Sequence, residues 1–275
     1  MTVAEVERWL APNLNYNRPH RSRGPGKPMA DLSRVLKQHK LDVSSLREME
    51  ESDDIRLLTV PGEEAIAVWK RLRGLVDETG HWPLLLGSDE DLDMHLENLE
   101  ESDGDLEGVL SGAASIDPVR WFEKNTRGGF ESIMGEWPDP LPASPEPADR
   151  AFTIPRDVLT REPFPAVHLA LVPTVNHWEV PAYLRFGGFN DSPQPHEHVA
   201  LWRRWHELCG AELVGISSDV IEALVSRPPT DPDGAMQLAQ EQYLYCSDIV
   251  TQGVGTLSEL AARLLNRPVW YFWWD

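Results

Sequence analysis

Five consecutive aromatic residues stand at positions 270–274, followed by Asp275. In an extended strand, successive side chains point to opposite faces, so this run places large apolar groups on both faces at once. A strand with two apolar faces is usually covered on both sides, whereas a surface strand alternates apolar and polar residues. The run therefore predicts a C-terminal strand that is buried in the sheet, covered on both faces and part of the core.

Apolar periodicity predicts the other regular elements. Residues 55–60 and 82–86 have strand patterns, and the segment between them has the 3.6-residue repeat of a helix that begins near Pro61. Later patterns predict a strand at 166–172, a helix at 195–209, a hairpin of 212–216 with 220–225, a helix at 235–249, and a last helix after a capping box at Thr256. This order favours an α+β fold with a mixed β-sheet flanked by helices.

Proline-rich stretches divide the chain into three parts. Residues 12–28 combine prolines with Asn, Arg, His and Gly, a composition typical of a flexible basic linker. Residues 1–54 are therefore predicted to be an N-terminal extension with helical and flexible parts. A second proline-rich stretch at 138–147 predicts a connector. It separates residues 55–137, a β-α-β unit with an acidic helical segment, from a domain at 150–275.

The chain is strongly acidic, with 45 Asp and Glu against 25 Lys and Arg and a formal net charge of −20. An excess of acid repels phosphate groups, which argues against nucleic acid and anionic membranes as partners. The charge favours another protein as the partner, and a basic one in particular. The pattern leaves open the oligomeric state, and whether the acidic segment 89–107 binds a cation.

Cys209 and Cys246 are the two cysteines, and they form neither a CxxC pair nor a disulfide framework. The first residues lack the basic-then-apolar pattern of a signal peptide. No apolar run approaches the roughly 18 residues needed to span a bilayer. We therefore expect a cytoplasmic protein with two free thiols.

Several separated motifs in the C-terminal part occur in the order seen in one known family. They are Gly187–Asn190, Arg204–Glu207 continuing into Gly210–Gly215, Arg227–Pro229, Glu241–Val250 and Trp270–Asp275. Together they resemble the bacterial DUF4253 family over roughly residues 166–275, with Phe189 where that family usually has Trp. The resemblance implies a bacterial source and a discrete C-terminal domain. It carries over no catalytic residue.

Two arrangements of residues could support chemistry. Cys246 could act as a nucleophile with His206 as its base and Asp248 nearby, but the surrounding sequence favours a buried, inert thiol. His196, His198 and His206 could bind a metal, but helical spacing separates them. The pattern favours a buried His206 packed beside two tryptophans, with the other two histidines exposed, and predicts neither metal nor cofactor.

The leading hypothesis is a non-enzymatic protein-binding module, for example an immunity or accessory protein whose acidic face meets a basic partner. The alternative is a small-molecule-binding domain or an enzyme with a cleft around His206 and Cys246. The residues predicted to contact a ligand or partner are Trp178, Asn190, Arg203, His206, Tyr243, Cys246, Asp248 and Gln252.

Overall fold

A computed structural model describes residues 29–102, 104–126, 128–142 and 151–275. Seven strands form one sheet, namely β1 (Arg47–Glu48), β2 (Arg56–Val60), β3 (Trp82–Gly87), β4 (Val167–Val172), β5 (Ala211–Ile216), β6 (Val220–Val225) and β7 (Val269–Trp273). The predicted linker at 12–28 lies outside the described residues. Within them, no helix has both the length and the apolar character required to cross a bilayer.

Ten α-helices accompany these strands in the part of the chain that the structure describes. They are α1 (Met29–Gln38), α2 (Gly62–Arg73), α3 (Val76–Thr79), α4 (Asp89–Glu101), α5 (Leu106–Ser115), α6 (Pro118–Asn125), α7 (Val180–Tyr183), α8 (Pro195–Cys209), α9 (Pro232–Tyr245) and α10 (Leu257–Leu264). Short 3-10 turns occur at Glu131–Ile133 and His177–Glu179, and a π-helical turn at Ile249–Val254.

The sheet has the strand order β1-β2-β4-β3-β5-β6-β7. β3 and β5 run parallel, and the other neighbouring pairs are antiparallel. The prediction of an α+β fold with a mixed sheet is therefore confirmed. Because β2 and β3 are both antiparallel to β4, they are parallel to each other, so the predicted β-α-β unit exists with β4 inserted between its two strands.

Strands from the second and third predicted parts of the chain alternate in this sheet. β4 lies between β2 and β3, and β3 in turn separates β4 from β5. Residues 55–137 and 150–275 therefore contribute to one sheet rather than to two. The three-part division along the chain itself stays a prediction.

Most helix bounds follow from local signals. α8 begins at Pro195 after a capping box in which Gln194 and Glu197 bond each other's backbone, and it ends at Gly210, which adopts a left-handed conformation. Its predicted range of 195–209 is confirmed. The predicted helix at 235–249 is wrong at both ends: α9 spans 232–245, because Asp231 caps its start and Cys246 is extended.

The aromatic strand β7 lies at the edge of the sheet, beside β6. One of its faces is buried, since Trp270, Phe272 and Trp274 are at most 2% exposed. They pack against aromatic side chains of α8 and α9, and the rings of Phe272 and Trp205 stack with centroids 5.8 Å apart. The prediction that both faces are covered is wrong, because Tyr271, on the opposite face, is 38% exposed.

A buried carboxylate holds residues 152–154 against the sheet. Glu222 on β6 is fully buried, and its oxygens accept hydrogen bonds from the backbone N–H and the hydroxyl of Thr153 and from the backbone N–H of Ile154. A methyl group on Gly215 would lie 2.6 Å from the Ile154 side chain, so the chain passes directly over β5 here. Burial raises the pKa of Glu222 to about 7.

We expect this carboxyl group to make the protein less stable as the pH rises. Between about pH 4.5 and pH 7 the folded state binds a proton at Glu222 that the unfolded state has released, so the free energy of unfolding falls with pH, by up to ~3 kcal/mol. Denaturant unfolding at pH 5 and pH 8 measures this change. Glu222→Gln should remove most of the difference; an equal difference in the variant would contradict the assignment.

Candidate functional site

The structure does not bring the predicted site residues into one cluster. Trp178 and His206 lie together beside the start of β5, with ring centroids 4.8 Å apart. Cys246 and Asp248 lie beside the end of β7, where they bond to Trp273 and Asp275. No hydrogen bond between described residues joins the two groups, so a single cleft around His206 and Cys246 is not formed by these contacts.

His206 is half-buried and pairs with the fully buried His177, with 2.9 Å between its Nδ1 and Nε2 of His177. The backbone N–H of Leu213 donates to Nδ1 of His177, so the ring proton of His177 is on Nε2. This Nε2–H donates a hydrogen bond to Nδ1 of His206. Burial lowers the pKa of His206, and it lowers the pKa of His177 well below the ordinary value. The pair is therefore neutral at pH 7.

Both thiols are poor nucleophiles in this fold. The Cys246 thiol donates to the backbone carbonyl of Trp273 across 2.9 Å, and burial raises its pKa to about 12. Burial raises the pKa of Cys209 to about 12 as well. A protonated thiol does not attack an acyl group at neutral pH, so these contacts give Cys246 a structural role in holding β7.

The remaining predicted residues are at least partly exposed. Asn190 and Gln252 are exposed, and Arg203 and Tyr243 are half-buried. Tyr243 packs edge-on against Phe130, with ring centroids 6.3 Å apart. Their roles in binding stay predictions.

His198 is fully buried, so the prediction that it is exposed is wrong. Its Nε2 lies 3.0 Å from the Ser192 hydroxyl and its Nδ1 lies 2.7 Å from the Tyr245 hydroxyl, which also accepts the indole N–H of Trp202. Burial lowers its pKa to about 3, so the ring is neutral. The sequence held a signal for this, because residues 198, 202 and 205 share one helical face.

A continuous acidic surface covers α4. Its exposed carboxylates that form no ion pair with any described residue are Glu90, Asp93, Glu97, Glu100 and Glu101. Residues 74–119 contain neither Lys nor Arg. Among the described residues, no group of three or more His, Cys, Asp or Glu side chains has the geometry to hold a metal ion. Residues 89–101 of the acidic segment form a helix.

Three residues from separate parts of the chain are joined by hydrogen bonds that no sequence pattern predicted. Thr59 of β2 and Asp89 of α4 contact opposite nitrogens of His168 on β4. The distances are 3.1 Å from the Thr59 hydroxyl to Nδ1 and 2.7 Å from the Asp89 carboxylate to Nε2. The pairing of β2 with β4 and the packing of α4 bring Thr59, His168 and Asp89 into one hydrogen-bonded row.

Comparison with known proteins adds a family for the C-terminal part. A family model described as a domain of unknown function, DUF4253, matches residues 168–275, which confirms the resemblance. No curated protein and no solved structure matches the chain. The matched region contains β5–β7 and all but the first residue of β4, yet β4 and β5 are separated in the sheet by β3, which lies outside it.

Proposed function

We propose that this protein acts by binding a basic protein through the exposed face of α4. The observation that carries the proposal is a set of five exposed carboxylates on this one helix, none of which forms an ion pair with a described residue. Met94 stands among them with half of its surface exposed. Exposed methionine with a rim of charge is more typical of a protein-contacting surface than of a site for a small cation.

The charge pattern of α4 is unfavourable for the isolated helix. Asp93, Glu97 and Glu101 repeat every four residues, and like charges at that spacing repel each other by about 0.2–0.5 kcal/mol per pair. Glu100 and Glu101 also lie in the last turn, where the helix dipole favours cations. A basic partner relieves both costs, which supports binding as the reason for the pattern.

The remainder of α4 is held firmly. Ser88 and Asp91 form a capping box at its start. His95 is buried and bonds the backbone carbonyl of Ile216, while the Asn98 amide donates to the backbone carbonyls of residues 184 and 185. A fixed helix presents its carboxylates with little ordering cost on association. With a net charge of −20, long-range attraction also speeds encounter with a basic partner.

An immunity or accessory protein that neutralises a basic effector is the concrete form of this proposal. The family resemblance supports a bacterial source, and the two cysteines support a reducing cytoplasm. Binding of this kind requires no catalysis at His206 or Cys246.

Charge reversal on α4 tests the proposal. We expect tagged wild-type protein to retain a stoichiometric basic protein from the cytoplasm of its source, and Asp93→Lys/Glu100→Lys to lose it. The complex should weaken about tenfold or more between 0.05 M and 0.5 M salt, because the contact is electrostatic. Quantitative mass spectrometry of the retained proteins measures both effects.

The matched control is Glu162→Lys/Glu207→Lys, which changes the net charge by the same amount at exposed positions outside α4. It should retain the partner. Loss of the partner in both variants, or in neither, contradicts the assignment of the face. If the wild-type protein retains no stoichiometric partner, the proposed function itself is contradicted.

A further inference from the structure

The side chains of Thr59 and His168 are neighbours because of how β2 pairs with β4. The two residues are directly opposite in the ladder. The backbone N–H and C=O of Thr59 both bond to the Ser45 hydroxyl on the other side of β2. Thr59 and His168 are therefore a non-hydrogen-bonded pair, the kind in which opposing side chains approach most closely.

The positions of the protons follow from the acceptors. A carboxylate can only accept, so the hydrogen bond between Asp89 and Nε2 of His168 places the ring proton on Nε2. With the ring proton on Nε2, Nδ1 carries a lone pair, and the Thr59 hydroxyl donates to it. A hydroxyl, an imidazole and a carboxylate are thereby connected in the order that hydrolases with a hydroxyl nucleophile use.

The three residues lie at one end of the strands. Thr59 and Asp89 lie at or just beyond the carboxyl ends of β2 and β3. His168 is buried, Thr59 is half-buried and the Asp89 side chain is 85% exposed, so the row extends from the interior to solvent.

We propose that Thr59 is a nucleophilic hydroxyl that accepts acyl groups from small esters, with His168 as its base and Asp89 as the positioning residue. The Thr59 oxygen forms a bond to the acyl carbon and its proton passes to Nδ1 of His168. The ester C–O bond breaks, and the proton leaves with the alcohol. Water then attacks the acyl-threonine by the same route and releases the acid.

The surroundings indicate which esters fit. The first-turn backbone N–H groups of Asp89 and Glu90 have no hydrogen-bond partner within the described chain, and helix N-termini stabilise a developing oxyanion. The first turn of α4 also carries the carboxylates of Asp89, Glu90 and Asp91. They favour neutral or cationic esters over anionic ones. This activity is separate from partner binding by the outer face of α4.

A fluorophosphonate probe tests the nucleophile directly, because it phosphonylates an activated hydroxyl with loss of fluoride. Wild type is expected to carry the adduct on Thr59, located by peptide mass spectrometry. Thr59→Val, which keeps the side-chain shape, should lose the adduct, and Thr59→Ser should keep it. Asp89→Asn should react at least about tenfold more slowly, and Asp89→Glu should recover part of the rate.

Asp93→Asn is the matched control, since it makes the same chemical change at an exposed position of the same helix, one turn beyond Asp89. It should react at the wild-type rate. A wild-type protein that labels no faster than Thr59→Val, an adduct at another residue, or equal rates for Asp89→Asn and Asp93→Asn would each overturn the proposal. Hydrolysis of a neutral aryl ester by the same variants must follow the same order.

Discussion

Replacing Phe272 with alanine is expected to lower the free energy of unfolding by about 3–5 kcal/mol. Phe272 is fully buried and contacts the rings of Trp202, Trp205 and Tyr245, each with centroids 5.0–5.9 Å apart. Removing it leaves a cavity that these large, close-packed rings cannot fill. Denaturant unfolding followed by tryptophan fluorescence measures the loss.

Tyr271→Ala is the internal control, because Tyr271 is the adjacent residue on the exposed face of the same strand. The loss in the free energy of unfolding should be less than half of that caused by Phe272→Ala. Deletion of residues 270–275 removes three buried aromatic side chains, at a summed cost of about 9–15 kcal/mol. That cost equals most or all of a typical total stability of about 5–15 kcal/mol. A cooperatively melting truncated protein would contradict the role of β7 in the core.

The second large effect is expected at the buried ion pair between Arg204 and Glu241. Both side chains are at least nine-tenths buried, and Nη2 of Arg204 lies 2.7 Å from the carboxylate, which also accepts the indole N–H of Trp205. Arg204→Met leaves the Glu241 charge buried without its counter-ion. We expect a loss of about 3–5 kcal/mol in the free energy of unfolding.

Two further variants separate charge burial from lost packing. Arg204→Met/Glu241→Leu removes both charges and should recover most of the stability, since an apolar replacement of a buried pair is often neutral. Arg263→Met breaks the exposed pair with Glu259 and should cost about 0–1 kcal/mol. Equal losses for Arg204→Met and Arg263→Met would show that burial of the pair does not matter.

Local patterns predicted much of the fold because the elements carry their own signals. Apolar periodicity placed α8 within its observed bounds, and the hairpin of β5 and β6 was likewise recognisable. Strand order was not predictable in this way. The edge position of β7 and the insertion of β4 between β2 and β3 depend on pairings between segments that are distant in sequence.

The candidate sites were likewise not predictable where they depend on contacts between distant segments. The residue types of Cys246 and His206 suggested a nucleophile and its base, but tertiary packing gives each residue its own neighbours. Thr59, Asp89 and His168 come from three separate segments, and no spacing rule connects them. The acidic helix was predictable, since its charge and its apolar repeat are both local properties of residues 89–101.

The central claim is that the aromatic interior stabilises the fold while the acidic face of α4 serves recognition. The unfolding free energy of Asp93→Lys/Glu100→Lys, measured without partner, tests it most directly. The account predicts an increase of about 1 kcal/mol, because the new lysines form favourable pairs along the helix and the one at position 100 complements its dipole. A decrease of that size or more would mean that these carboxylates stabilise the fold, which would contradict the claim.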